Sequence, residues 1–209
     1  ISSLQYGDSN KIGGLPQATA AGSLTDVLVV STRETVEVLR GGKVVHKQDL
    51  PSSSVAISPD ETTVVVGGKD NNLHVFELDG DTLKKVKAVS GHRGVINSIA
   101  FSADGSLVGS GDQNREVIAW DAKSWERKTS GWVYHNARVN SVAWSPDNRH
   151  LASGSLDSGI IVWDVQSPAT RITIKNSHFG GTNSLVWLDE STICSAGQDG
   201  IMRTWTVTY

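Results

Sequence analysis

Cysteine and methionine are nearly absent from this chain of 209 residues, since each occurs once and the cysteine is Cys194. A single cysteine excludes an intrachain disulfide, which favours a reducing compartment such as the cytoplasm. Long apolar runs are missing as well, and those present, such as residues 27–30, are far too short to span a bilayer. The net charge of −3 offers no basic field for nucleic acid or for an anionic membrane. We therefore predict a cytoplasmic chain that binds neither.

Long helix-forming stretches are also absent, whereas glycine is abundant, with 21 residues. Abundant glycine suits a chain in which many tight turns join short strands. What the sequence does contain is a set of markers that recur every 42 to 44 positions. These markers are an aromatic residue that closes a strand-like run and a histidine that precedes the copy: Phe76, Trp120, Trp163 and Trp205, with His92, His135 and His178. A period of this length is typical of a repeat architecture.

Apolar residues alternate with a period of two inside each copy, as in "VNSVAW", "HLASG", "IIVWD" and "RITIK". This alternation predicts four strands per copy, joined by turns such as "SPDN". The pairs Trp120-Asp121 and Trp163-Asp164, with "SGH" at 90–92, resemble the signature of WD-repeat proteins. The predicted fold class is therefore all-β, a WD-repeat β-propeller whose four-stranded blades repeat every 40 to 45 residues or so.

The copies predict a single propeller domain, or a fragment of one, over residues 1–209, with about five four-stranded blades. The predicted blades are a weak one at about 22–50 and clear ones at about 51–90, 91–134, 135–177 and 178–209. Residues 13–22 favour a linker or turn. The last copy stops after its third strand, and "SSLQY" near the N terminus is a candidate for the missing outer strand. Five blades could close a ring, but a chain that begins with Ile also suits part of a larger ring.

Two copies contain a His, a Ser, an Asp and a Trp at matching positions: His135, Ser153, Asp157 and Trp163 in one, and His178, Ser195, Asp199 and Trp205 in the other. A Ser-His-Asp set could indicate acyl transfer. A catalytic set would occur once, however, and a buried indole N–H needs an acceptor, so we predict structural tetrads and no enzyme activity. The copy with Phe76 lacks the histidine. The copy with His92 is two residues longer between Asp112 and Trp120, which leaves the pairing of Ser110 open.

We predict no metal site, no cofactor and no small-molecule substrate, because three of the six histidines follow the repeat and no short His/Cys spacing resembles a zinc site. Cys194 favours an inert, buried thiol. Trp132 and Tyr134 lie in a connection that could either anchor a partner or pack beneath the loop. The candidates for partner binding are Arg93, Asn97, Trp132, Tyr134, Asn136, Arg138, Asn140 and Asn183.

The C-terminal half carries features more particular than a generic WD repeat. These are "AWSPDN", "WLDESTICSAGQD" and an ending "TWTVTY" directly after a blade's third strand. With these motifs, and with "AISPDETTVVVGGKDNNLHVFEL" upstream, the chain resembles the actin-interacting proteins that work with cofilin. The resemblance covers roughly residues 25–209 and weakens toward the start.

This resemblance implies two joined seven-bladed propellers, of which the chain would be most of the second. It also implies non-enzymatic binding to actin filaments and cofilin in the cytoplasmic actin cytoskeleton, with disassembly of cofilin-decorated filaments as the outcome. A generic WD scaffold or adaptor for another protein complex is the alternative. No short motif carries the family's actin contacts onto numbered residues here.

Overall fold

The computed structural model describes residue 12 and residues 14–209, and over this range the regular structure is entirely β. The strands form five antiparallel sheets, numbered 1 to 5 in chain order, in which each strand pairs with its neighbours in sequence. The all-β prediction is therefore confirmed. Within the described range, no helix has the length and apolar content that crossing a bilayer requires.

Each sheet is a meander of three or four strands. Sheet 1 contains β1 (Pro16–Ala21), β2 (Val27–Thr32), β3 (Thr35–Arg40) and β4 (Lys43–Asp49). Sheet 2 contains β5 (Ser52–Ile57), β6 (Thr63–Gly68), β7 (Leu73–Asp79) and β8 (Thr82–Val89). Sheet 3 contains β9 (Ile96–Phe101), β10 (Leu107–Asp112) and β11 (Val117–Asp121). Sheet 4 contains β12 (Val139–Trp144), β13 (His150–Ser155), β14 (Ile160–Asp164) and β15 (Arg171–Ile174). Sheet 5 contains β16 (Thr182–Trp187), β17 (Thr192–Gly197) and β18 (Met202–Thr206).

The start of sheet 1 corrects the sequence prediction. The prediction of a linker or turn over residues 13–22 is wrong, because β1 lies there and pairs with β2. The sequence of β1, "PQATAA", has one β-branched residue and therefore a weak strand signal. Its partner β2, "VLVVST", is rich in β-branched residues and supplies the template. The strand-closure candidate at residues 2–6 lies outside the described residues.

Sheets 3 and 5 have three regular strands each. Beside β11, where a fourth strand is predicted, residues 127–132 form only an isolated bridge between Trp120 and Arg127. The same segment accepts a hydrogen bond at the carbonyl of Trp132 from the N–H of Val117, at 2.9 Å. The fourth position of sheet 3 is therefore occupied by an irregular segment. Sheet 5 ends at β18, as the missing fourth strand of the last copy predicts.

The core lies between successive sheets and is divided into four apolar clusters. Val29 and Val38 of sheet 1, for example, pack with Val64 and Phe76 of sheet 2. The other clusters join sheets 2 and 3, sheets 3 and 4, and sheets 4 and 5 in the same way. Each sheet thus buries its faces only by stacking on its neighbours, which is the physical basis of a repeat fold.

A small-residue pair brings sheets 2, 3 and 4 each close to the sheet that follows. A serine on the first strand faces a glycine on the second: Ser54 and Gly67, Ser98 and Gly111, and Ser141 and Gly154. The N–H of Val142 donates to Ser98 Oγ at 3.0 Å, and that of Leu185 donates to Ser141 Oγ at 3.2 Å. Because glycine has no side chain, the first strand of the next sheet can come close enough to reach the serine hydroxyl. In sheet 5 the equivalent pair is Ser184 and Ala196.

Candidate functional site

The predicted tetrad of sheet 4 forms a continuous hydrogen-bonded chain. Nδ1 of His135 lies 3.0 Å from Oδ2 of Asp157, and Nε2 of the same ring lies 2.8 Å from Oγ of Ser153. The indole N–H of Trp163 donates to Ser153 Oγ at 2.8 Å. His135, Ser153 and Trp163 are all buried. These hydrogen bonds join four parts of the sheet: the connection before β12, the strand β13, the turn between β13 and β14, and the strand β14.

Sheet 5 repeats this arrangement. His178 lies 2.9 Å from Asp199 Oδ1 and 2.7 Å from Ser195 Oγ, and the indole N–H of Trp205 donates to Ser195 Oγ at 2.8 Å. Arg203 adds a further hydrogen bond to Asp199, at 2.7 Å. This bond, aided by the one to His178, lowers the pKa of Asp199 well below its ordinary value and outweighs the opposing effect of desolvation.

Sheet 3 also contains a complete tetrad, which settles the pairing that the sequence left open. His92 lies 2.6 Å from Ser110 Oγ and 3.1 Å from Asp112 Oδ2, and the indole N–H of Trp120 donates to Ser110 Oγ at 2.8 Å. The hairpin is not longer than in sheet 4, because Ser110 and Trp120 occupy the same register as Ser153 and Trp163. Asp112 instead comes from the last residue of β10, two positions earlier in the hairpin than Asp157.

Sheet 2 replaces the polar set by an apolar pair. In the register of Ser153 and Trp163 it has Val66 and Phe76, which pack together in the cluster between sheets 1 and 2. The prediction of an incomplete tetrad in this copy is confirmed. Asp70 contacts a histidine from another position, since Nε2 of His74 on β7 lies 3.1 Å from it. Without an indole N–H to satisfy, no hydroxyl is needed at position 66.

The tetrads have the connectivity of a hydrolytic triad but not its access to substrate. In the tetrads, as in a hydrolytic triad, the serine hydroxyl contacts Nε2 of the histidine and the carboxylate contacts Nδ1. Ser153 Oγ, however, accepts the indole hydrogen bond within the packed sheet. A cavity of about 330 Å³ is lined by His135 and Asp157 but not by Ser153. The hydrogen bonds of the three tetrads join strands within one sheet, and their structural role stays a prediction.

Asp157 is expected to make the free energy of unfolding depend on pH in the acidic range. Burial would raise its pKa, but hydrogen bonds from His135 and from the N–H groups of Asn136 and Gly159 outweigh burial and lower the pKa to about 2. A carboxylate with a lowered folded pKa stabilises the folded state above its ordinary pKa and loses that contribution as the pH falls toward 2 or so. Asp157→Asn should therefore lower the free energy of unfolding by about 1 kcal/mol near neutral pH, with solvent screening allowed for, and by much less at about pH 2.

Urea unfolding of Asp157→Asn and of the unmodified chain at about pH 6 and pH 2 measures this difference. Asp49→Asn is the control, because it removes an exposed carboxylate on β4. A stability difference for Asp157→Asn that stays constant between the two pH values would contradict the assignment.

The candidate partner-binding residues fall into two structural groups. Asn97 and Asn140 join sheets, since their side-chain N–H groups donate to the carbonyls of Val139 at 2.9 Å and Thr182 at 2.8 Å. Trp132 is 1% exposed, so it packs beneath the loop, the second of the two alternatives for this residue. Its ring stacks on Trp163 at 4.8 Å. The remaining candidates are exposed, and partner binding by them stays a prediction: Arg93, Tyr134, Asn136, Arg138 and Asn183.

Cys194 and one cluster of possible metal ligands remain to be placed. Cys194 is half-buried on β17 rather than fully buried, and it forms no disulfide. His92, Asp112 and Glu116 bring three potential metal-ligating atoms within 4.8 Å of one another. Both ring nitrogens of His92 already contact tetrad partners, so binding a metal there would break the tetrad. Among the described residues this cluster is therefore the His–Asp part of the sheet 3 tetrad with Glu116 beside it.

The stacked meanders, the period and the tetrads define a WD-type β-propeller array. The family model for the WD domain, G-beta repeat, matches residues 43–77, 83–121 and 128–164, and the chain belongs to this family. The resemblance to actin-interacting proteins is also confirmed. The chain is 39% identical over 133 residues to Actin-interacting protein 1-2 of Arabidopsis thaliana, and 38% over 132 residues to Actin-interacting protein 1 of Caenorhabditis elegans. Both matches cover 62% of this chain, with 22% and 21% of those proteins.

A third relative covers more of the chain. The 66 kDa stress protein of Physarum polycephalum is 44% identical over 199 residues, which is 94% of this chain and 33% of that protein. The chain thus spans a third or less of the length of the three relatives named here.

Proposed function

We propose that the chain is a non-enzymatic, protein-binding part of a cytoplasmic factor that binds actin filaments and promotes the disassembly of cofilin-decorated filaments. The observation that carries this proposal is the similarity to two proteins named for their interaction with actin. The part played by cofilin rests on the resemblance of the C-terminal repeats. Because the chain spans a third or less of its relatives, the activity of the whole protein is part of the proposal.

Exposed aromatic side chains next to the tetrad histidines support protein binding. Phe179 directly follows His178 and is 89% exposed, and Tyr134 directly precedes His135 and is 52% exposed. The guanidinium of Arg171 lies 3.5 Å from the centroid of the Tyr134 ring, so a cation–π contact holds this ring in place. Exposed aromatic rings with neighbouring arginines frequently supply most of the binding energy of a protein interface.

A WD scaffold for another complex is the second candidate function. It is favoured by the relative with 44% identity, which is named for stress rather than for actin. The exposed polar residues beside the tetrads would serve either function, because repeat proteins present their binding residues on extended surfaces.

The two functions differ in their dependence on cofilin. We expect the chain to pellet with actin filaments when cofilin decorates them and to remain in the supernatant when cofilin is omitted. Phe179→Ala should reduce the pelleted fraction several-fold, because it removes an exposed aromatic ring that we expect to contact the partner. Since the ring is exposed, its removal should change the stability of the fold little. The measurement is high-speed cosedimentation with quantification of both fractions.

Val86→Ala is the matched control, since it truncates an exposed apolar residue on the outer strand β8. This variant should pellet like the unmodified chain. Pelleting that is indifferent to cofilin would favour the scaffold function, and equal losses for Phe179→Ala and Val86→Ala would remove Phe179 from the interface.

A further inference from the structure

A cleft of about 880 Å³ lies on the edge of sheet 3 beside the connection to sheet 4. Three segments that are distant in sequence line it: the connection that follows His92, the turn between β10 and β11, and the irregular segment beside β11. The start of the connection into β12 closes one side with an apolar residue, Val133. A cleft of this size accommodates several residues of an extended chain and is far larger than a single ion requires.

The cleft carries an excess of positive charge on a chain that is acidic as a whole. It is lined by four cationic side chains and by one carboxylate: Arg93, Arg115, Arg127 and Lys128, with Glu116. Glu116 forms an ion pair with Arg127, and Lys128 forms one with Asp121 outside the cleft. The charges of Arg93 and Arg115 are not balanced by any carboxylate that lines the cleft. The net charge of the whole chain is −3, so the cleft is opposite in sign to the chain as a whole.

Compared with the other hairpins, two positions of this turn are each more positive by one charge unit, while Asp112 and Glu116 carry carboxylates where the other hairpins have none. The turns of sheets 2, 4 and 5 contain Asp-Asn at 70–71, Asp-Ser at 157–158 and Asp-Gly at 199–200, whereas sheet 3 has Asn114 and Arg115 at the equivalent positions. A neutral amide thus replaces a carboxylate, and a guanidinium replaces an uncharged group. The tetrad of sheet 3 does not need the lost carboxylate, because Asp112 supplies it from β10.

Arg115 also holds an unfavourable backbone conformation. Its φ of 75° is in the left-handed region, where the other turns place Asn71, Ser158 and Gly200. Asn and Gly adopt this region readily, whereas it is unfavourable for a long side chain. Local strain of this kind is frequent where a side chain serves binding rather than stability.

The two uncompensated arginines are held next to each other by their main chains. The side-chain N–H of Asn114 donates to the carbonyl of Arg93 at 2.8 Å, which ties the turn to the connection after His92. Gly94 fits against this turn, since a Cβ there would lie 2.9 Å from the amide carbon of Asn114. The two guanidinium groups therefore start from neighbouring, fixed backbone positions.

We propose that this cleft, hereafter the basic cleft, binds an acidic peptide segment of a partner protein. Guanidinium groups pair with carboxylates through two parallel hydrogen bonds, and two of them in one cleft select a segment with two or more acidic side chains. The polar side chains of Gln113, Ser130 and Asn136 line the same cleft and can bond the peptide backbone. This inference does not depend on actin being the partner.

The test is fluorescence anisotropy of a short fluorescein-labelled peptide that alternates Glu and Gly, with a Gln-Gly peptide as its uncharged match. The Glu peptide should bind and the Gln peptide should not, and binding should weaken as salt is raised. The double variant Arg93→Glu/Arg115→Glu should weaken binding of the Glu peptide by at least about ten-fold. Arg115→Asn places the residue of sheet 2 in the turn and relieves its backbone strain, so it should weaken binding without loss of stability.

The control is Lys43→Glu/Lys85→Glu, which makes the same change in net charge on the outer strands β4 and β8. This variant should bind the Glu peptide within about two-fold of the unmodified chain, because exposed charges beyond a Debye length are screened. Equal weakening by the two double variants would overturn the proposal. So would equal binding of the Gln peptide, or binding of phosphatidylserine vesicles in preference to the Glu peptide.

Discussion

Replacing Trp163 by alanine is expected to lower the free energy of unfolding by about 3–5 kcal/mol. The side chain is 0% exposed, stacks on Trp132 at 4.8 Å and donates its indole N–H to Ser153. The substitution leaves a cavity between sheets 3 and 4 and removes a hydrogen bond from the buried hydroxyl. Both losses act at the contact on which two sheets depend, so the effect should spread to the whole array. Urea unfolding followed by far-UV circular dichroism measures it.

Trp205→Ala is the matched control for this prediction. Trp205 makes the same hydrogen bond, to Ser195 at 2.8 Å, but it is half-buried and its sheet has no equivalent of Trp132. Its loss should cost clearly less, because the removed side chain had less surface to bury. If both variants lost the same free energy, the hydrogen bond alone would account for the effect, and the Trp132–Trp163 stack would contribute nothing.

The repeat and two of the three tetrads could be predicted from the sequence, because their geometry is local and periodic. Hydrophobic alternation sets the strands, and the register of a short hairpin then pairs Trp163 with Leu151, two residues from Ser153, so that the indole N–H reaches the Ser153 hydroxyl. The same spacing in sheet 5 gave Ser195 and Trp205. Once the serine and the tryptophan are fixed, a histidine from the preceding connection can hydrogen-bond to the serine hydroxyl, as His135 and His178 do.

Features that break the repeat spacing, or that depend on a neighbouring strand or sheet, could not be predicted in this way. The tetrad of sheet 3 was left open because Asp112 lies two positions early, and spacing cannot distinguish an insertion from a shifted residue. The strand β1 was missed because its alanines have little β-propensity and its pairing is imposed by β2. Asn97 and Asn140 were candidates for partner binding, yet their amides join neighbouring sheets, which only the stacking of the sheets shows.

The basic cleft was also beyond the sequence, for a different reason. Arg115 and Arg127 lie about 20 and 35 residues after Arg93 in the sequence, and none of the three segments is a basic run by itself. Arg93 and Asn136 were among the candidates, but nothing in the spacing placed them with Arg115. A sum of charges over the whole chain conceals such a site, because the chain is acidic overall.

Gly154→Val is expected to lower the free energy of unfolding by about 3 kcal/mol, because it forces sheets 4 and 5 apart. A Cβ at Gly154 would already lie 2.7 Å from Thr182 Cγ2 and 2.9 Å from Leu185 Cδ2. Valine adds two further methyl groups in the same direction. The approach of the next sheet also allows the Leu185 N–H to reach Ser141 Oγ, and this hydrogen bond should be lost as well. Chemical denaturation measures the change.

Ala196→Val separates this steric effect from the change in strand composition. Ala196 occupies the equivalent position in sheet 5, opposite Ser184, and among the described residues no further sheet packs on that face. Valine is favoured in strands, so here the substitution should change stability by less than about 0.5 kcal/mol. Comparable losses at both positions would show that glycine at 154 serves the backbone of β13 itself. A loss at Gly154 alone would mean that the small residue is required by the sheet that follows, which is how a repeat encodes its own stacking.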